Sequence, residues 1–252
     1  MSRRIVALAS STSLAVALAA SGLTAFAQDM AMDQARLVKI TIENLTTGQN
    51  FSPSFIVSHG AATRLWALGE TASDPLVAVA EGGNVGPFSG EAAGTIGSAF
   101  GDAVIAVHTP PGGTRTVYVT VTESHPLLSG VWMLGMTNDG FSGFAGVDAY
   151  ALTGAVTLDL MGYDAGSEVN NERSGFLGAL GAGNERDPEG GVIAVHTGVR
   201  GDADAPAEWN FDPQLVARVT ITPVAWDAMM EPAEPMLDPD EPAMDADEPA
   251  MN

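Results

Sequence analysis

The stretch "LVKITIENL", residues 37–45, indicates the fold of this chain. Its β-branched apolar residues Val38, Ile40 and Ile42 occupy every second position, and polar residues lie between them. A period of two is the pattern of a strand with one buried face and one exposed face. The stretch "QLVARVTITPV", residues 214–224, has the same pattern near the other end. The two stretches predict one folded region, residues 36–224, that begins and ends with a strand.

Further segments between these two have the same strand-like character. They are "PSFIVSH" (53–59), "DAVIAVHT" (102–109), "RTVYVTVT" (115–122), "GVWMLGM" (130–136), "AVTLDLMGY" (155–163) and "GVIAVHT" (191–197). Glycine, proline, asparagine and aspartate cluster between them, as in loops. A short helix is predicted in "SDPLVAVAEGG" (73–83), capped by Ser73 and ended by Gly82. Many short strands predict an all-β fold, an antiparallel β-sandwich with long loops.

The two ends of the chain differ from this region in composition. Residues 1–27 combine Arg3 and Arg4, an alanine-rich apolar segment and the small-x-small pattern "AFA", which together predict a signal peptide. Residues 225–252 contain nine acidic residues, no basic residue and frequent prolines, and are predicted to be a disordered acidic tail. We therefore expect a mature protein without a membrane span, exported to the periplasm, the cell surface or the medium.

Charge and cysteine content exclude several classes of function. The chain has no cysteine, which excludes disulfide frameworks, thiolate metal sites and cysteine nucleophiles. The formal net charge of −21 repels nucleic acid and anionic membranes, and it favours cations and basic partners.

Two acidic loops follow apolar segments and are candidates for a metal site. "YDAGSE" places Asp164 and Glu168 on either side of Gly166, which permits a tight bend, and "TNDGF" contributes Asp139. Calcium takes six to eight oxygen ligands, so converging carboxylates would suit it. The alternative is a pair of solvated acidic turns. The amide and acidic residues of 170–172 are expected to solvate the loop or to support the ligands.

The chain also resembles the spondin domain, the N-terminal module of the F-spondin and mindin family of extracellular matrix proteins. The resemblance is carried by "NLTTGQNFSPSFIVSH" (44–59), "LGETASDPLVAVAEGGN" (68–84), "MLGMTNDGFSG" (133–143) and "YDAGSEVNNE" (163–172). It implies an antiparallel β-sandwich with a calcium ion at one end, ligated by Asp139, Asp164 and Glu168. This chain has Glu168 and Tyr163 where the animal proteins have aspartate and tryptophan, and it lacks their thrombospondin-type repeats. Their integrin-binding and neuronal roles are therefore not expected here.

Other side chains offer weaker alternatives. His59, His108 and His196 each end an apolar segment, and they suit either a zinc site or, as we expect, hydrogen bonds that cap the sheets. Three tryptophans suit either the core or a platform on which a sugar stacks: Trp66, Trp132 and Trp209. No nucleophile elbow or phosphate-binding loop occurs in the sequence.

These features lead to three hypotheses about function. The first is an exported, non-enzymatic, calcium-binding β-sandwich that takes part in adhesion or in surface and matrix interactions, with an extracellular protein or glycan as its partner. The second is a carbohydrate-binding or glycan-processing protein in which calcium is structural. The third assigns weak cation binding to the acidic tail alone.

Overall fold

The fold is described by a computed structural model, which covers residues 34–95, 99–181 and 185–224, with the backbone alone for residues 91–95. The predicted signal peptide, residues 1–27, and the predicted acidic tail, residues 225–252, lie outside the described residues. Within the described part, none of the helices has the length and apolar character needed to cross a membrane.

Most of the regular secondary structure in the described residues belongs to two antiparallel sheets, so the predicted all-β sandwich is confirmed. The four-stranded sheet has the order β4 (Thr114–Val121), β1 (Arg36–Asn44), β10 (Ala217–Pro223), β7 (Val156–Leu160). The six-stranded sheet has the order β3 (Phe100–Ala106), β2 (Ser54–His59), β5 (Leu127–Met133), β6 (Gly140–Asp148), β8 (Gly162–Asp164), β9 (Ala194–Val195). The first and last strands, β1 and β10, pair at the centre of the smaller sheet, with Val38 opposite Pro223.

The main core lies between the two sheets. The alternating apolar residues of β1 are fully buried and meet Leu128 and Trp132 from the larger sheet, while the residues between them are partly exposed. This burial pattern is the one that the period of two in "LVKITIENL" predicts, because successive side chains of a strand point to opposite faces. Fully burying one such side chain stabilises the fold by roughly 1.5–3 kcal/mol.

A second core covers the other face of the six-stranded sheet. All six residues of β2 are buried: Ile56 packs between the sheets, whereas Phe55 and Val57 pack against two helices, α1 (Asp74–Gly82) and α2 (Gly86–Thr95). The Oγ atom of Ser73 accepts a hydrogen bond from the N–H of Leu76, which confirms the predicted N-cap of α1. Strand β2 is therefore buried on both faces, which explains the continuous apolar run "FIV" at residues 55–57.

Several elements differ from the sequence-based expectation. The segment predicted at 155–163 divides into β7 of the smaller sheet and β8 of the larger sheet. Strand β6 was not predicted, because it is rich in glycine and serine and lacks apolar alternation. Its Gly143 lies against the backbone of β5, since a Cβ atom there would be 2.2 Å from the carbonyl oxygen of Gly130. Helix α2 was also not predicted, and β9 contains two residues of the longer segment expected at 191–197. Short 3₁₀ helices at Gly178–Leu180 and Ala207–Trp209 complete the described elements.

Candidate metal centre

Asp139 is the last residue of the turn that joins β5 to β6. Thr137 closes this turn: its Oγ1 donates to the carbonyl oxygen of Leu134 at 2.6 Å and accepts from the N–H of Gly140 at 2.8 Å. Gly140 pairs with Asp164 in the ladder between β6 and β8. The ladder therefore brings the "TNDGF" turn and the "YDAGSE" loop together.

The second loop bends at Gly166, two residues after Asp164. Gly166 has a φ of +67°, and a Cβ atom there would be 2.6 Å from the backbone nitrogen of Val192. A residue with a side chain is strained in this conformation and has no room in this position. The Asp164 carboxylate is held by the bend, because its Oδ1 accepts from the N–H of Gly166 at 2.7 Å and its Oδ2 from the side-chain amide of Asn170.

The Asp139 carboxylate is fully buried and bonded on one side. Its Oδ2 accepts from the N–H and the Oγ of Ser167, at 2.8 and 3.1 Å, and from the N–H of Glu168 at 3.0 Å. Its Oδ1 is buried and has no hydrogen-bond partner among the described residues. Burial, followed by the charge of Asp164, raises the pKa of Asp139 from 3.8 to about 7, although its hydrogen bonds oppose this shift. A cation beside Oδ1 would relieve both causes of the raised pKa.

The Glu168 carboxylate is also buried, but it faces a different set of charges. Its Oε1 lies 3.2 Å from Nη1 of Arg186 in an ion pair, and its Oε2 has no hydrogen-bond partner among the described residues. Burial raises the pKa of Glu168; the nearby Arg186 opposes this shift, and the charges of Glu81 and Asp187 add to it.

The three predicted ligands are therefore close in the fold without forming a finished site. Asp139 interacts with Asp164 through charge and with Glu168 through its backbone N–H, while the Glu168 side chain pairs with Arg186. Nowhere in the described part of the chain do three histidine or acidic side chains gather in an arrangement that would hold a metal ion. The donor set fits a hard cation such as calcium, provided that Glu168 exchanges its arginine partner for the ion.

Two residues next to the predicted ligands have different roles. Asn170 supports Asp164, as described above. Glu172 is buried rather than solvated, and its two carboxylate oxygens accept from the N–H groups of Arg200 and Gly201 at 2.7 and 2.8 Å. Glu172 also has a φ of +56°, a conformation that non-glycine residues rarely adopt. It therefore fixes the loop that follows β9 to the acidic loop.

The histidines do not form a shared site in the described structure. His59 is buried and bonded at both ring nitrogens, to the carbonyl oxygen of Gly60 and to the Oγ of Ser129. His108 is exposed. His196 is buried beside Asp164 and Glu172, and its Nδ1 accepts from the N–H of Gly198 at 2.9 Å. Burial lowers the pKa of His196 despite these acidic neighbours. The hydrogen bonds of His59 and His196 are of the sheet-capping kind that the sequence predicts.

The three tryptophans within the described residues do not form a common platform for a sugar. Trp132 is fully buried and packs against Phe51. Trp66 and Trp209 are partly buried and pack against different hydrophobic clusters. Trp66 also lines a groove of about 790 Å³, and its ring centroid lies 4.7 Å from that of Tyr163, the residue before Asp164.

The two residues that link Glu168 to helix α1 were missed in the sequence: Arg186 lies in a glycine-rich segment, and Glu81 lies in α1 itself. Neither belongs to an acidic motif, and no periodicity connects either of them with Glu168. They meet because residues 187–191 fold back on residues 166–169, with hydrogen bonds of 2.9 Å from Val169 N–H to the carbonyl of Asp187 and 2.7 Å from Gly191 N–H to the carbonyl of Gly166. The local sequence therefore contains no pattern that predicts the contact of Arg186 with Glu168.

The chain is similar to a known protein family. A family model described as Spondin_N matches residues 43–172, just over half of the chain. The match includes both acidic loops and ends at Glu172, before Arg186. No curated protein matches the chain.

Proposed function

Because the chain belongs to the Spondin_N family, whose domains are extracellular, adhesion-type modules and generally non-catalytic, we propose that it is an exported calcium-binding domain that acts by binding a partner rather than by catalysis. The proposed ligands are the carboxylates of Asp139, Asp164 and Glu168, and the proposed role is in adhesion or in surface and matrix interaction.

One observation supports the calcium proposal above the others. The Oδ1 of Asp139 and the Oε2 of Glu168 are buried carboxylate oxygens without hydrogen-bond donors in the described part of the chain. Buried polar atoms in folded proteins are nearly always satisfied, so two unpaired carboxylate oxygens at adjoining acidic loops favour the binding of a cation. Calcium would supply positive charge to oxygens that water does not reach.

The proposed ion would stabilise one end of the sandwich. The turn after β5 and the loop after β8 supply the carboxylates, and these two segments are otherwise joined by the hydrogen bonds that Asp139 accepts. An ion held by both segments would add charge-based contacts to this junction. The stiffened loops would then present a defined surface to an extracellular protein or glycan, and calcium would control its shape.

Calorimetric titration of the full-length chain with calcium tests the proposal. The wild-type protein is expected to bind one ion with an affinity that Asp139→Asn and Asp164→Asn each reduce at least tenfold. The matched control is Glu123→Gln, which removes one charge from an exposed residue outside the site and should leave binding unchanged. Calcium is also expected to raise the melting temperature of the wild type and of the control, because a ligand bound to the native state stabilises it.

Uptake of calcium that is equal in the wild type and in both site variants would refute the assignment. Such a result would transfer the binding to other acidic groups, including those of residues 225–252. A glycan array, probed with and without calcium, tests whether the partner is a glycan. Calcium-dependent glycan binding that Trp66→Ala abolishes would favour the carbohydrate alternative.

A further inference from the structure

The Glu168 carboxylate already has a cation beside it, supplied by the protein itself. Nη1 of Arg186 lies 3.2 Å from Glu168 Oε1, and Nε of the same guanidinium lies 3.3 Å from Glu81 Oε2. Arg186 therefore bridges the acidic loop and helix α1. A calcium ion that uses Glu168 has to take the same carboxylate oxygens from this arginine.

The backbone that follows Arg186 is held against the acidic loop, in addition to the ion pair of its side chain. The neighbouring residues of its segment pair with the acidic loop: Glu168 and Pro188 form a β-bridge, and the N–H of Val169 donates to the carbonyl oxygen of Asp187 at 2.9 Å. The N–H of Glu189 donates to the carbonyl oxygen of Ser167 at 3.1 Å. This pairing keeps the guanidinium within reach of Glu168 without holding the guanidinium rigidly.

The exposed fractions of the three side chains indicate that Arg186 is the one that is free to move. The side chain of Glu168 is 2% exposed and that of Glu81 is 15% exposed, whereas Arg186 is 45% exposed. A buried carboxylate without a cation is unfavourable, so Arg186 stabilises Glu168 while no ion is bound. Because the arginine is open to solvent and keeps Glu81 as a partner, it can leave Glu168 at a modest cost.

We propose that Arg186 is a tethered counter-ion that occupies Glu168 in the calcium-free protein, that calcium displaces it toward Glu81, and that this competition sets the calcium affinity. The inference rests on the proposed calcium site and goes beyond it, since Arg186 lies outside the residues that the family model matches. Two positive charges compete for one carboxylate, so each weakens the binding of the other.

The first test removes the charge of Arg186 and keeps a polar side chain. In the full-length chain, Arg186→Gln is expected to bind calcium about tenfold more tightly than the wild type in calorimetric titration, because one repelling charge near the ion is gone. Arg186→Lys keeps the charge and should restore an affinity near that of the wild type. The matched control is Arg64→Gln, which removes an arginine from an exposed ion pair with Glu70 outside the proposed site and should leave the affinity unchanged.

The second test removes the charge of Glu81 and is expected to weaken calcium binding. Glu81→Gln leaves Arg186 with Glu168 as its buried partner, so calcium is expected to bind more weakly than to the wild type. Thermal unfolding adds a readout that does not depend on the titration. In a chelator, Arg186→Gln should melt at a lower temperature than the wild type, and added calcium should raise its melting temperature by more.

The outcomes separate the two proposals. An affinity in Arg186→Gln that equals that of the wild type and of Arg64→Gln, while Asp139→Asn loses binding, overturns the counter-ion role and leaves the calcium site standing. If Arg186→Gln does not fold, unchanged or tighter binding by Glu81→Gln overturns the role instead. The absence of calcium binding by the wild type overturns the site and the counter-ion role together.

Discussion

Replacing Asp139 with asparagine should stabilise the calcium-free protein at high pH and remove its calcium binding. Asparagine has nearly the same shape, and its oxygen can accept the hydrogen bonds that Ser167 and Glu168 donate to Oδ2. Its amide nitrogen would take the position of the unpaired Oδ1 and add a donor beside Asp164. The variant therefore relieves a buried charge without leaving a cavity.

The magnitude follows from the pKa of Asp139. Its value rises from 3.8 to about 7 on folding, so the folded state binds the proton more strongly than the unfolded state does. The stability associated with this proton is present in full below pH 3.8, is lost as the pH rises toward 7, and is absent above it. A shift of this size corresponds to about 4 kcal/mol, at roughly 1.4 kcal/mol for each pH unit. The asparagine side chain of the variant does not titrate and escapes this loss.

Urea denaturation in a chelator, repeated from pH 4 to pH 8, measures the effect as a difference between the two proteins. Other titrating groups, such as Glu168, contribute to both proteins and largely cancel. The variant should match the wild type near pH 4 and exceed it by up to about 4 kcal/mol at pH 8. A difference that does not change with pH would refute the reasoning, as would a variant less stable at pH 8 than the wild type.

Two further predictions concern the framework around the site. Glu172→Gln should lower the free energy of unfolding by about 2 kcal/mol, because it weakens charge-assisted hydrogen bonds to the backbone of residues 200–201. Chemical denaturation at pH 7 measures this loss, and a change below about 0.5 kcal/mol would contradict it. Gly143→Ala should destabilise the fold by about 3 kcal/mol or prevent folding, since the new Cβ would meet the carbonyl oxygen of Gly130. The control Gly154→Ala, which adds its Cβ to open space, should leave the melting temperature nearly unchanged.

The sequence predicts a strand correctly where apolar residues alternate along it or form a continuous buried run within it. The alternation in residues 37–45 predicts β1 because the core on one side and solvent on the other select opposite side chains. Strand β6 has no such pattern, because Gly143 serves close contact between strands rather than burial of a side chain. The segment 191–197 is apolar, yet β9 is short, because Ile193 donates its N–H to the carbonyl oxygen of Glu70 in a loop.

The site was partly accessible from sequence for a similar reason. Asp139 and Asp164 each follow an apolar segment, which made their loops candidates for one site. The strand that joins the two loops is β6, which was not predicted and whose Gly140 pairs with Asp164. The interaction of Glu168 with Arg186 depends on the backbone pairing of residues 187–191 with residues 166–169. No local sequence pattern predicts this pairing. Glu172 was expected to solvate the loop or to support the ligands. The structure instead buries it, because its partners are backbone N–H groups nearly thirty residues further on.

The pairing of β1 with β10 has a mechanical consequence. The two strands run antiparallel, and the backbone N–H of Val224 reaches the carbonyl oxygen of Leu37, so the chain enters and leaves the sandwich at one point. A force that pulls these two ends apart would load the hydrogen bonds between the strands one after another, starting with the outermost, instead of all at once. Under tension between its two ends, the domain would therefore begin to unfold at low force by separation of β1 from β10. The calcium proposed at the acidic loops would lie away from the β1–β10 pair. It would therefore leave the force needed to separate these two strands almost unchanged.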